Sequence, residues 1–166
     1  MLDIRQIGIA TAIGGFLLAG CASDIELGVS YDPLTVFPAQ ATYAWDEGAN
    51  SLPMDDRIQA LNLDPLIKQV VDSEFATKGY RPVRAGEPRN FLLSYQLGVA
   101  TRVGPEESFA IGSLHLDLNG AASGRRVWVG FARTQVDLSR SEQERAERFR
   151  ETVRQMLEKF PPGQRD

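Results

Sequence analysis

The chain has 166 residues, a formal net charge of −4 and a single cysteine. This length suits one domain with its own hydrophobic core. The acidic balance, with basic residues scattered along the chain, argues against a nucleic-acid-binding protein, whose affinity depends on clustered positive charge.

Residues 1–20 have the features of a signal peptide. The apolar run IGIATAIGGFLL follows Arg5 and is shorter than the ~20 residues that a membrane-spanning helix needs. Leu18, Ala19 and Gly20 precede Cys21 in a pattern that resembles the bacterial lipoprotein signal. The resemblance implies that the nucleophilic thiol of Cys21 is lipidated and that Cys21 becomes the first mature residue. An ordinary signal peptide, or an uncleaved anchor with an incidental cysteine, is the alternative.

Lipidation of Cys21 would hold the mature chain on a membrane without a spanning helix. Two acyl chains suffice for a stable anchor, since each buried methylene contributes ~0.8 kcal/mol. Residues 21–24 then form the lipidated N-terminus and a short tether, of which Ala22, Ser23 and Asp24 reach about 10 Å, so we expect the domain to lie against the lipid headgroups. Ala22 stands where an aspartate would resemble an inner-membrane retention signal, which favours the outer membrane, facing the periplasm.

Alternating apolar and polar residues predict several half-buried strands in the mature chain. The first covers residues 25–32 and the second residues 41–45. Residues 80–83 predict an edge strand, because Pro82 cannot donate to a neighbouring strand. The remaining predicted strands are 91–101, 108–120 and 125–134, of which the last two form a hairpin.

Two amphipathic helices complete the pattern. In the first, Asp64 is predicted to cap the free N–H groups, Pro65 lies in the first turn and Gly79 ends the helix. In the second, Ser141 and Glu144 predict a capping box. The apolar stripes comprise Leu66, Ile67, Val70, Val71 and Phe75 in the first helix, and Ala146, Phe149, Val153, Met156, Leu157 and Phe160 in the second.

The other face of the second helix interleaves acids and arginines, with pairs such as Glu144–Arg148 and Arg154–Glu158, which predicts a solvated face. Residues 163–166 form a polar tail. Residues 25–162 therefore predict a single α+β domain in two layers: a mostly antiparallel sheet of about five to six strands with two helices packed on one face.

Short motifs along the mature chain also carry a family resemblance. They are Tyr31-Asp32-Pro33, Thr42-Tyr43-Ala44-Trp45, Lys78-Gly79-Tyr80, Ser94-Tyr95, Gly112 with Leu114, Leu116 and Asp117, Val127-Trp128-Val129-Gly130, and Met156-Leu157 with Lys159-Phe160-Pro161-Pro162. Their order and spacing resemble the bacterial envelope lipoproteins called domain of unknown function 4136. Only Asn119–Gly124 departs from that pattern, which has an acidic residue and a Gly-Lys turn. The resemblance implies a periplasm-facing domain with no assigned activity and no catalytic residues.

The residues themselves offer little for catalysis. His115 is the only histidine, and Ser113 and Asp117 are its neighbours on one strand face. Side chains spaced two residues apart on a strand point in parallel and do not converge on a substrate, so we expect a polar sheet face and no enzyme.

Metal and cofactor sites are likewise not indicated. The adjacent acids Asp55 and Asp56, and Glu106 and Glu107, lack the alternating spacing of a calcium loop. The glycines form no phosphate-binding loop ahead of a helix. We therefore expect no cofactor.

Four aromatic residues, Tyr43, Trp45, Tyr95 and Trp128, are the candidates for a partner or ligand surface. The alternative is core packing or cross-strand pairing, since aromatic residues commonly form strands. If the uncovered sheet face carried Trp128, that face would form an apolar patch.

Two functions remain open at this point. The first is a non-catalytic module that binds or assembles another envelope protein, for which an exposed apolar patch or a free strand edge would be evidence. The second is a carrier of a small apolar ligand between sheet and helices, for which a cavity would be evidence. A hydrolase would need converging titratable groups.

Overall fold

The computed structural model describes residues 25–54, 59, 62–103, 108–137, 139–158 and 160. The signal sequence, Cys21, the tether, both acidic pairs and the polar tail lie outside these residues. The elements are, in chain order, β1 (Ile25–Tyr31), β2 (Ala41–Trp45), α1 (Leu63–Thr77), β3 (Tyr80–Pro82), β4 (Phe91–Val103), β5 (Ser108–Gly120), β6 (Arg126–Val136) and α2 (Glu142–Leu157).

The strands form one mixed sheet in the order β1-β6-β5-β4-β2-β3. β1 pairs antiparallel with β6, β6 with β5, and β5 with β4, whereas β2 runs parallel to both β4 and β3. The α+β prediction is confirmed, and β3 lies at an edge as Pro82 predicts. Among the described residues, no helix has the length and hydropathy needed to cross a bilayer.

One face of the sheet packs against both helices. Cross-strand pairs put Leu93 opposite Leu118, and Leu118 opposite Trp128, so apolar side chains of three strands share the helix side. The opposite face carries exposed side chains such as those of Gln96 and His115. The fully buried core comprises Tyr43, Tyr80, Leu93, Leu116, Leu118 and Trp128 from the sheet, and Ile67, Val71, Phe75, Val153 and Leu157 from the helices.

The two ends of α1 differ in how well the sequence predicts them. Gly79 follows the helix with φ of 81°, which confirms the predicted stop, since glycine adopts this left-handed conformation without steric cost. The predicted cap at Asp64 is wrong. The N-cap is Asn62, with φ of 46° and no side-chain cap, while an oxygen of Asp64 accepts a hydrogen bond from the Tyr95 hydroxyl.

α2 begins with the predicted capping box. The backbone N–H of Ser141 donates to the Glu144 carboxylate at 2.9 Å, and the Ser141 hydroxyl oxygen accepts from the backbone N–H of Glu144 at 3.3 Å. Because this cap occupies Glu144, the predicted Glu144–Arg148 pair is wrong. The predicted Arg154–Glu158 pair is present at 3.6 Å.

Phe160 closes the end of the core where both helices end. Its ring stacks on Phe75 with 4.8 Å between centroids and meets Trp128 and Tyr80 edge-on, each at 5.1 Å. Phe37, from the connection between β1 and β2, lies 5.8 Å from it. Since α1 and α2 both end at this aromatic cluster, they run in the same direction and both begin at the opposite end of the sheet.

Phe160→Ala should destabilise the domain strongly. Truncating a buried aromatic ring removes its contacts and leaves a cavity, which predicts a loss of ~3–5 kcal/mol in the free energy of unfolding. Urea unfolding followed by tryptophan fluorescence measures it. Phe131→Ala, which removes a half-buried ring from the opposite sheet face, is the control and should cost clearly less. Equal losses would contradict the role assigned to Phe160.

Candidate functional site

Three of the four candidate surface aromatics are buried. Tyr43, Tyr95 and Trp128 are 0, 1 and 0 % exposed, and Trp45 alone among the four keeps partial exposure. The surface prediction is therefore wrong for those three, and their core packing is the correct alternative. The condition for an apolar patch around Trp128 is not met, because its side of β6 is the side that the helices cover.

Carboxylates on α1 accept hydrogen bonds from three of the four aromatic side chains, those of Tyr43, Trp45 and Tyr95. The Tyr43 hydroxyl and the Trp45 indole N–H donate to the same Asp72 oxygen, at 2.6 and 3.1 Å. Two turns earlier, the Tyr95 hydroxyl donates to Asp64 at 2.6 Å. Hydrogen bonds to a charged acceptor are stronger than neutral ones. These contacts therefore hold α1 at one position on the sheet.

Lys68 lies between two carboxylates in the same group. Its Nζ is 2.7 Å from Glu47, 3.1 Å from Asp64 and 6.0 Å from the centre of the Trp45 ring. Burial acts to raise the pKa of Asp64, but the hydrogen bonds from Tyr95 and Lys68 outweigh it and the net shift is downward. Burial, together with the bond to Asp64, raises the pKa of Tyr95. A general acid or base titrates near neutral pH, and neither Asp64 nor Tyr95 does so.

The polar residues on the opposite sheet face do not converge. His115 is exposed and stacks on Phe131 with 6.1 Å between centroids. The Asp117 carboxylate is 2.7 Å from Arg126, and the Ser113 hydroxyl contacts a backbone carbonyl of β4 at 3.5 Å. Within the described ranges, no cluster of three or more His, Cys, Asp or Glu residues has the proximity to hold a metal ion.

An apolar cleft opens at the end of the sheet where both helices begin. Its volume is about 240 Å³, and it lies between the first half of α2, the start of α1 and the helix side of β4, β5 and β6. Its apolar walls include Leu66, Leu97, Val99, Leu114, Val136 and Phe149.

Small residues leave this cleft unfilled. Gly112, Ala132 and Ala146 stand at lining positions where larger side chains would occupy the space. Gly112 differs from the two alanines in being closely packed: a Cβ atom there would come within 3.0 Å of the Val136 side chain, so a larger residue would have to displace Val136. Small residues on the helix side of neighbouring strands are the signal that could have indicated a cavity. The sequence pattern alone does not indicate the cleft, because its lining residues come from five elements.

Arginines of α2 and the segment before it form the rim of the cleft. Arg140 pairs with Asp137 at 3.1 Å, and Arg145 donates to the backbone carbonyl of Arg140. The sequence predicted a solvated face for Arg148. This prediction is wrong, because the Arg148 guanidinium reaches the Thr134 hydroxyl on β6 at 3.4 Å. Its Nε is buried and has no hydrogen-bond acceptor among the described residues. The cleft therefore combines apolar walls with three arginines and two acids, Asp137 and Glu142, among its lining residues.

Asp72→Ala should destabilise the domain, because it removes the acceptor that the Tyr43 hydroxyl and the Trp45 indole share. Leaving a buried donor unpaired costs ~1–3 kcal/mol, which urea unfolding would measure. Ser73→Ala, at the exposed neighbouring position, is the control and should change stability by less than about 0.5 kcal/mol. If the two variants unfolded alike, the contact between α1 and these aromatic side chains would contribute nothing.

Solved structures with a similar fold include three of low sequence identity. A DUF4136 family protein from Bacteroides thetaiotaomicron is 14% identical, with a TM-score of 0.56, over 84% of this chain and 97% of that chain. A PDZ domain protein from Parabacteroides distasonis is 15% identical, with a TM-score of 0.53, over 86% and 36%. A PelC variant from Paraburkholderia phytofirmans, a dodecamer, is 11% identical, with a TM-score of 0.51, over 84% and 99%. At these identities the likeness shows the fold alone.

Sequence comparison agrees with the resemblance seen in the short motifs. No curated protein matches the chain. The sequence model of the family described as Domain of unknown function (DUF4136) matches residues 28–162, which are most of the chain. This match includes Asn119–Gly124, so the unusual turn there does not separate the chain from its relatives. The chain belongs to the DUF4136 family.

Proposed function

We propose that residues 25–162 form a non-catalytic binding domain that holds a small apolar ligand between sheet and helices. The observation that carries this proposal is the open apolar cleft beside α2. Ligand sites are typically concave, mostly apolar and edged by a few polar groups, and this cleft has all three properties. Of the two functions that the sequence leaves open, the cavity favours the ligand carrier.

The arrangement of titratable groups supports a domain that is not an enzyme. Catalysis needs such groups to converge on one point beside a substrate. Asp64 and Asp72 are bonded to aromatic side chains of the sheet, and Asp117 is paired with Arg126. His115 lies on the sheet face opposite the cleft. Binding therefore accounts for the described polar groups better than chemistry does.

The proposed location is the cell envelope, with lipid on Cys21 as the anchor. The support is the sequence itself: Leu18, Ala19 and Gly20 before the cysteine, and Ala22 after it. The alanine favours the outer membrane, facing the periplasm. Residues 21–24 would then tether the domain to the bilayer.

An envelope protein is the second candidate partner, at a different surface. Leu34 and Val36 are 89 and 85 % exposed, and they follow β1 closely. Exposed apolar side chains near one another are typical of contact surfaces. Tyr31, at the end of β1, pairs with Trp128, so this segment lies at the end of the sheet away from the cleft. A protein contact there is compatible with a ligand in the cleft.

Cys21→Ser should abolish lipidation. Cells supplied with a clickable fatty acid should label the wild-type protein and not the variant, because the thiol receives the lipid. Ser23→Ala, two residues later, is the control and should keep the label. A wild-type protein that remains unlabelled and washes from membranes would contradict the anchor but not the cleft.

Filling the cleft should weaken the binding of an apolar probe. Val99→Trp introduces an indole on the cleft side of β4, and the purified protein should then bind the fluorescent probe phenylnaphthylamine at least about tenfold more weakly. Ala100→Trp places the same ring on the exposed opposite face and should change affinity less than about twofold. Ala146→Leu fills the cleft from α2 and should reproduce the loss if Val99→Trp fails to fold. Unchanged binding in folded cleft variants would overturn the proposal.

A further inference from the structure

β1 begins at the end of the sheet where the cleft opens. Ile25 lies opposite Thr134, which lines the cleft. Residues 22–24 separate Ile25 from Cys21 and reach about 10 Å when extended. With lipid on Cys21, as proposed above, the mouth of the cleft lies close to the headgroups of the same bilayer. The source of a ligand is therefore the membrane itself.

The cleft has room for one alkyl chain. Its volume of about 240 Å³ lies below the roughly 300–1,000 Å³ typical of small-molecule sites. Leu66 and Phe149 line it from the helices, and Leu97 and Val99 line it from the sheet, so apolar contact is available on both sides. A lipid with two chains would leave one of them outside.

Arg148 can hold the polar end of such a chain. Its buried Nε has no acceptor in the described part of the chain, and the hydrogen bond from its Nη2 to the Thr134 hydroxyl is long at 3.4 Å. Glu144, one turn earlier, binds Ser141 and so does not neutralise it. A carboxylate accepts two parallel, charge-assisted hydrogen bonds from a guanidinium, and these are roughly twice as strong as bonds to an uncharged end group.

The remaining charges at the rim nearly balance one another. Arg140 is paired with Asp137, and Arg145 and Glu142, of opposite charge, both line the cleft. Both helices begin at this end of the sheet, and the positive ends of their dipoles favour an anion. Arg148 is therefore where an added negative charge is best accommodated.

We propose that the cleft binds a long-chain fatty carboxylate from the adjacent membrane, with the alkyl chain between α2 and the sheet and the carboxylate on Arg148. This proposal rests on the proposed ligand-binding function and names its ligand. The competing occupant is an acyl chain on the protein's own Cys21. Those chains are joined through uncharged ester or amide groups and would leave the Arg148 guanidinium without an anion.

Photo-crosslinking on the lipidated protein in phosphatidylcholine vesicles tests this assignment. A palmitic acid analogue that carries a diazirine and an alkyne is added and irradiated, and the labelled peptides are identified by mass spectrometry. We expect labelling in β4, β6 and the first half of α2, with competition by unlabelled palmitate. The matching fatty alcohol should label about tenfold less, because it cannot form the charge-assisted bonds.

Two arginine variants isolate the contribution of the carboxylate. Arg148→Gln should lower labelling by the fatty acid about tenfold and leave labelling by the alcohol unchanged. Arg150→Gln, on the exposed side of the same helix, should lower neither. Circular dichroism confirms that each variant is folded before labelling.

The outcomes separate this inference from the proposed function. Equal labelling by acid and alcohol, with no effect of Arg148→Gln, would overturn the carboxylate assignment and leave an apolar site. If labelling by both probes is also unchanged in Val99→Trp, the cleft is not the binding site. Labelling that appears only after a lipase has removed the chains from Cys21 would identify the protein's own lipid as the occupant and overturn the proposal.

Discussion

The other features of the fold depend on one constraint, the burial of aromatic side chains between the sheet and the helices. Both helices pack on the same sheet face and run in the same direction. Phe75 and Phe160 stack where the helices end, and Tyr80 and Trp128 meet Phe160 edge-on. The helices cannot shift along the sheet without breaking these contacts, which belong to the largest buried surfaces of the core. The cleft lies at the opposite end, between the first half of α2 and the sheet.

Polar contacts add a second constraint, which sets the rotation of α1. Asp64, Lys68 and Asp72 are four residues apart and so lie on one side of the helix. The two carboxylates accept hydrogen bonds from the sheet, and Lys68 pairs with Asp64 beside them. Asp64 is thereby unavailable as a cap, and the helix begins at Asn62 in a left-handed conformation that asparagine tolerates. A long-range contact overrides a local preference here.

The same distinction between local and distant contacts explains what the sequence could predict. The strands and the capping box at Ser141 depend on neighbouring residues, and they were predictable. Trp128 and Phe131 are both apolar and alternate along β6, so only contact with a helix decides which of them is buried. Tyr43 and Tyr95 find their acceptors 29 and 31 residues away. The cleft was the least predictable feature, because its lining residues come from five elements that are distant in the sequence.

The domain has two surfaces with apolar side chains, and they lie at opposite ends of the parallel helices. The cleft and the start of β1 are at one end, and the exposed Leu34 and Val36 are at the other. The proposed anchor near Ile25 would turn the cleft to the bilayer and the second surface away from it. α2 spans this distance, from Arg148 at the cleft to its last turn beside the cluster around Phe160.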